Sequence, residues 1–178
     1  MKNILIITTS LRHGSNSDML AESFKEGAIS SGNKVEIVSL KNKNISFCRG
    51  CFACQKIGHC VIDDDANEIT DKMAQSDVIV WATPVYYYEM SGQMKTMIDR
   101  ANSLFSRERN FKDVYILATS DDNDPHTIDA LVKGVEGWIK CMKGSRLAGK
   151  VFVGGIEEER AIEGNKGLQE AFDLGKGV

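Results

Sequence analysis

The strongest constraint on the fold is an alternation of short apolar runs with longer stretches of helical periodicity. Val78-Ile79-Val80-Trp81-Ala82 is apolar at every position, as expected of a strand whose two faces are both covered. A half-solvated antiparallel strand would instead alternate apolar with polar residues, so helix-covered parallel strands fit better. Periodicity places strands near Lys2–Thr8, Lys34–Ser39, Val78–Thr83, Asp113–Thr119 and Leu147–Gly154. Helical stretches fall between and after them, near Ser17–Ser30, Ala66–Ser76, Ser91–Leu104, Pro125–Met142 and Asn165–Leu174. This order predicts an α/β chain with a doubly wound, five-stranded parallel sheet and helices on both faces. At 178 residues the chain is the size of one domain, 1–178, and no repeat or linker marks a second. Its two prolines, Pro84 and Pro125, punctuate a strand end and a helix start.

A net charge of -3 argues against a general nucleic-acid binder, which would carry a basic face, and points to a small-molecule ligand. No apolar run approaches the length of a membrane span. Met1-Lys2-Asn3 leads directly into Ile4–Ile7, too short for a signal-peptide core, so a cytoplasmic location without membrane association is expected. In that reducing compartment clustered cysteines read as metal-binding or redox groups. Cys48, Cys51, Cys54 and Cys60 form C-x2-C-x2-C-x5-C in a cysteine-rich loop at about 45–64, after the second strand. Cys141 stands apart and is assigned to packing.

Ligands of open α/β sheets bind beyond the carboxyl ends of the strands, so the loops after strands one, three and four belong together. The first, Thr9–Ser17, wraps hydroxyls and Arg12 around Gly14 immediately before a helix. A phosphate there would meet free N–H groups, the positive helix end, Ser10, Ser15, Ser17, Asn16 and the Arg12 charge. Helix capping alone needs only one such residue. The loop lacks G-x-G-x-x-G and G-x-x-x-x-G-K-[ST], and strand one offers neither a carboxylate nor a cysteine to take up a phosphoryl group. A stably bound phosphate on a ligand remains. The third loop brings Tyr86, Tyr87 and Tyr88, whose faces suit a flat conjugated ligand. After strand four, Ser120 and Asp121 open a polar run in which capping and ligand contact weigh evenly.

These residues match a known pattern. Ser10-x-Arg12-x-x-Ser15-Asn16-Ser17, Thr83-Pro84-Val85-Tyr86 and Met90-Ser91-Gly92-Gln93-Met94-Lys95-x-x-Ile98-Asp99-Arg100 closely resemble the flavodoxin-like NAD(P)H-dependent FMN reductases. Ile162-Glu163-Gly164 and Ala171–Lys176 extend the resemblance to the tail of that family's cysteine-containing branch. The resemblance implies a flavodoxin-like strand order 2-1-3-4-5, FMN as cofactor, NAD(P)H as reductant, and a homodimer or higher homo-oligomer. It implies phosphate contacts at the first loop, ring contacts at Pro84, Val85, Tyr86 and Tyr87, and further contacts at Ser120 and Asp121. No catalytic side chain is expected, because the flavin carries the chemistry. Lys95 and Asp99 are read as a helical i,i+4 ion pair, and Arg100 as structural.

Cys48, Cys51, Cys54 and Cys60 also resemble the compact cluster motif of the iron-sulfur flavoproteins, a branch of the same fold with a 4Fe-4S cluster. Thiolates spaced by two residues can wrap one cluster face while Gln55–His59, with Gly58, brings the fourth around. The last gap is longer than in bacterial ferredoxins, and Val61 replaces their proline. A cluster, zinc and free thiols therefore stay open as occupants, as does a Cys51–Cys54 redox pair. The leading expectation is an FMN-dependent oxidoreductase passing electrons from NAD(P)H to a small-molecule or protein acceptor. The alternatives are an iron-sulfur flavoprotein relaying single electrons between a ferredoxin-type donor and FMN, and a cysteine-based redox sensor.

Overall fold

A computed structural model describes residues 1–178. Five parallel strands form its sheet: β1 (Asn3–Thr8), β2 (Lys34–Ser39), β3 (Val78–Tyr86), β5 (Asp113–Thr119) and β6 (Arg146–Val153). Their spatial order is β2-β1-β3-β5-β6, the 2-1-3-4-5 order expected of the principal strands. A sixth, two-residue strand, β4 (Glu89–Met90), folds back antiparallel on the end of β3. Periodicity could not register so short a strand.

The crossovers run through α1 (Asn16–Ser30), α2 (Ala53–Ile57), α3 (Asp65–Gln75), α4 (Gly92–Arg100), α5 (Asp129–Cys141) and α6 (Lys166–Lys176). Side chains alternate across the strands and divide the core in two. Ile4, Ile6, Val78, Val80 and Leu117 pack against Leu20, Ala21 and Phe24 of α1 and Ala171 of α6. Leu5, Ile7, Ile79, Trp81 and Ile116 pack on the other face against α3, α4 and α5. Trp81 is fully buried and meets Trp138 edge-on at 6.0 Å between ring centroids, which explains why both tryptophans are structural.

The sequence placed continuous helices over Ser91–Leu104 and Pro125–Met142. Instead, α4 passes at Arg100 into a 3-10 turn over Ala101–Phe105, and Pro125–Ile128 form a 3-10 turn before α5. Pro125 has no N–H to donate and Asp124 caps that turn through the His126 N–H at 2.9 Å. Glycines bring α1 and α6 together: a Cβ on Gly27 would stand 1.9 Å from the Phe172 carbonyl oxygen. No helix is long and apolar enough to cross a membrane.

Candidate functional site

The loop between β1 and α1 is built to leave donors free. Ser15 caps α1, its Oγ accepting from the Asp18 N–H at 3.4 Å and lying 3.0 Å from Ser17 Oγ. Gly14 takes φ +55°, a conformation most side chains disfavour. No carbonyl accepts from the N–H groups of Ser15, Asn16 or Ser17, so they remain orphaned at the positive end of the helix. That is the donor set an anion requires. Ser10, Arg12, Ser15 and Asn16 line a cavity of about 240 Å³, closed by Pro84, Val85, Tyr86, Ser120 and Asp121. Ser17 lies buried behind Ser15 rather than on this wall.

The chain after β6 adds a strap that the sequence reading left out. Arg12 Nη1 donates to the Glu157 carbonyl at 3.0 Å and Asn16 Nδ2 to the Glu158 carbonyl at 2.9 Å. The Ile162 N–H returns a bond to Asn16 Oδ1, and Ile156, Glu157 and Glu159 complete the cavity. The same carboxyl-end rule used for strands one, three and four would have found them at strand five.

At the opposite end of the trough stand the tyrosines. Tyr87 and Tyr88 occupy the two turn positions between β3 and β4 at φ 50° and 66°. Such turns normally take Asn or Gly, and a bulky residue there costs about 1–3 kcal/mol. Tyr86, Tyr87 and Tyr88 line a second cavity of about 530 Å³ with Asp122 and Thr127, which shares Val85, Tyr86, Ser120 and Asp121 with the first. Asp121 faces both cavities, whereas Asp122 accepts from Thr127 Oγ1 at 2.8 Å and Asp124 caps. Ser91, the cap of α4, fixes the trough by donating to Thr9 Oγ1 at 2.9 Å.

The cysteine loop is a separate site. Cys48, Cys51, Cys54 and Cys60 all line one cavity of about 650 Å³, which shares no residue with the trough. Cys54 is buried, Cys60 half-buried, and Cys48 and Cys51 exposed. No three Cys, His, Asp or Glu side chains are drawn together as a single metal ion would require. Four thiols lining one cavity are, by donor type, the kind of ligands that an iron-sulfur cluster takes. Cys141, assigned above to packing, is exposed and lines this cavity because the last turn of α5 faces the loop.

Arg100 and Asp64 anchor the loop from within. The guanidinium clasps the carboxylate at 2.6 and 2.8 Å, and both side chains are excluded from water. Burial pushes the Asp64 carboxyl up, but Arg100 and the Ser46 and Ala66 amides outweigh it and hold its pKa below the ordinary range. Burial likewise pulls Arg100 down, while Asp64 and the Cys60 thiol leave it raised overall. Lys95 and Asp99 form the expected exposed pair at 2.7 Å.

Residues 2–142 match the family model described as NADPH-dependent FMN reductase. An iron-sulfur flavoprotein of Archaeoglobus fulgidus is 40% identical over 100 residues, 56% of this chain and 45% of that protein. One from Methanosarcina thermophila is 36% identical over 105 residues, 59% of this chain and 54% of that protein. The chain thus spans about half the length of these curated relatives. Among solved structures, an azoreductase from Bacillus anthracis superposes with a TM-score of 0.74 over 100% of both chains at 15% identity, a likeness of fold.

Proposed function

Because the chain belongs to the NADPH-dependent FMN reductase family, we propose that it is an FMN-dependent oxidoreductase taking electrons from NAD(P)H and passing them to a small-molecule or protein acceptor. The observation that carries this reading is the continuous trough, with orphaned N–H groups at one end and tyrosine faces at the other. FMN, when bound, supplies two-electron chemistry with a nicotinamide donor and one- or two-electron chemistry with an acceptor. Ser10, Ser15, Asn16 and the first-turn N–H groups would hold its phosphate, with Arg12 adding charge from the strap side. Ser17 would orient the Ser15 hydroxyl through their 3.0 Å contact. Pro84, Val85, Tyr86 and Tyr87 would bound the ring, and Ser120 and Asp121 its polar edge. These groups bind and orient, and none is needed as a general acid or base. The family to which the chain belongs supports a homodimer or higher homo-oligomer, which light scattering would measure.

Anaerobic purification followed by mixing with NADH or NADPH tests the reading. Flavin should copurify or bind when added, and its visible absorbance should bleach with at least one donor. A protein that binds no FMN refutes the proposal, and one that binds it without bleaching refutes the reductase activity.

The shared cysteine cavity favours a second role beside the first. Cys48, Cys51, Cys54 and Cys60 would hold a 4Fe-4S cluster, as the names of the archaeal relatives suggest. Such a group supplies single-electron transfer, which would make the chain a relay between a one-electron protein donor and FMN. Iron and sulfide near about four per chain would support it, and zinc or no metal would refute it.

A further inference from the structure

We propose that the buried Arg100–Asp64 pair is a latch that positions the cysteine loop for its cluster, with Arg100 the positioning residue and Cys60 the ligand it steadies. The inference rests on the iron-sulfur reading of the cavity.

Both ends of the loop are stitched to this one pair. Arg100 Nη1 donates to the Ser46 carbonyl at 2.8 Å, two residues before Cys48. Arg100 Nη2 donates to the Ile62 carbonyl at 3.1 Å, two residues after Cys60. Asp64 accepts from the Ser46 N–H at 2.9 Å and from the Ala66 N–H at 3.1 Å, so the same carboxylate starts α3. One fork therefore closes the base of a loop that carries all four thiols.

The guanidinium is also part of the cavity. Arg100 lines it beside Cys60, and its Nε is buried without a satisfied partner. A buried donor without an acceptor is costly, so the pair is kept here at a cost that the loop geometry it imposes offsets. Asn67 fixes the Cys60 backbone from the other side, accepting from its N–H and donating to its carbonyl, each at 3.1 Å. Asn102 reaches Cys54 Sγ at 3.4 Å from the turn following Arg100. Asn102, close after Arg100, thus holds the Cys54 sulfur, while Asn67 holds the Cys60 backbone. A buried ion pair contributes little net stability, and its value here is the geometry it imposes.

The test compares wild type with Arg100→Lys and with Arg100→Met/Asp64→Asn after anaerobic reconstitution with ferrous iron and sulfide. The double variant leaves no uncompensated buried charge, and Asn preserves the cap on α3, so it should fold even where Arg100→Lys does not. Each folded variant should retain FMN like wild type yet surrender iron to a chelator roughly tenfold or more faster. The remaining cluster in the double variant should have a lower reduction potential, because the guanidinium that lines the cavity together with Cys60 is gone. A variant that retains FMN, loses iron no faster than wild type and has an unshifted potential overturns the latch. Parallel loss of FMN and iron in the double variant also overturns it, assigning the pair to general folding. Wild type that binds FMN but no iron and sulfide overturns the latch and the relay, leaving the flavin proposal intact.

Discussion

Asp18 should make the protein less stable as pH rises from about 4 through about 6, and Asp18→Asn should cancel that loss. It sits half-buried in the first turn of α1, with Oδ1 shut away from water and unpartnered. Burial raises its pKa from 3.8 to about 6, despite hydrogen bonds with Thr8 and Ser15 and the nearby Lys41 charge. Between those values the folded chain holds a proton that the unfolded chain has released. The stability contributed by the neutral carboxyl is therefore fully present below about pH 3.8 and lost as pH rises through about 6. The gap, 6 − 3.8 = 2.2, corresponds at 1.36 kcal/mol per pH unit to an upper bound of about 3 kcal/mol. Solvent reaches a half-buried group, which reduces this to about 1–2 kcal/mol. Asp18→Asn, neutral throughout, should gain that amount near about pH 8 and nothing near about pH 4. For a chain of this size the gain equals a rise in Tm of about 2–8 °C. Urea unfolding of the flavin-free protein at both pH values, followed by far-UV circular dichroism, measures it. An equal gain at both pH values refutes the burial argument. A loss near neutrality refutes it differently, by showing that the charge serves the helix N-terminus.

Gly175→Ala should cost about 2 kcal/mol or more in urea unfolding, since its Cβ would meet the Phe24 carbonyl oxygen at 2.1 Å and outweigh a helix-propensity gain of about 1 kcal/mol. Unchanged stability would show that α1 and α6 can separate freely. Arg12→Ala should weaken FMN about tenfold, equivalent to about 1.4 kcal/mol, while leaving riboflavin unaffected in a fluorescence titration. Equal loss for both flavins would remove Arg12 from the phosphate. Tyr87→Gly should raise the urea midpoint by relieving a bulky residue at φ 50°, yet weaken FMN binding; a lowered midpoint would contradict the strain argument.

The fold was legible because the sheet advertises itself. Strands apolar on both faces, such as Val78–Ala82, leave little architecture besides a helix-covered parallel sheet. The donor-rich loop before α1 was legible for a related reason, since Ser15, Asn16 and Ser17 stand at a helix start and their neighbours cluster at a strand end. What escaped depends on contacts between distant segments. Glu157 and Glu158 engage Arg12 and Asn16 through backbone carbonyls, which any side chains would supply equally, so no residue type signals them. Arg100 reads as an ordinary basic residue at a helix end, and only the fold buries it against Asp64. Cys141 carries no motif and joins the other thiols solely through the placement of α5.

The two sites share no lining residue, yet α4 binds them into one mechanical unit. Ser91 caps its first turn and donates to Thr9 in the loop between β1 and α1. Arg100 ends it and holds the base of the cysteine loop. Nine helical residues rising about 1.5 Å each make a rod of roughly 13 Å between these anchors. Met94 and Met97 are fully buried along it, so the rod is pinned to the sheet and cannot slide without opening the core. The separation of the trough and the thiol cavity is consequently set by helix geometry rather than by either loop. Substitutions at one end of α4 should disturb one site alone, whereas loosening its buried face should disturb both together.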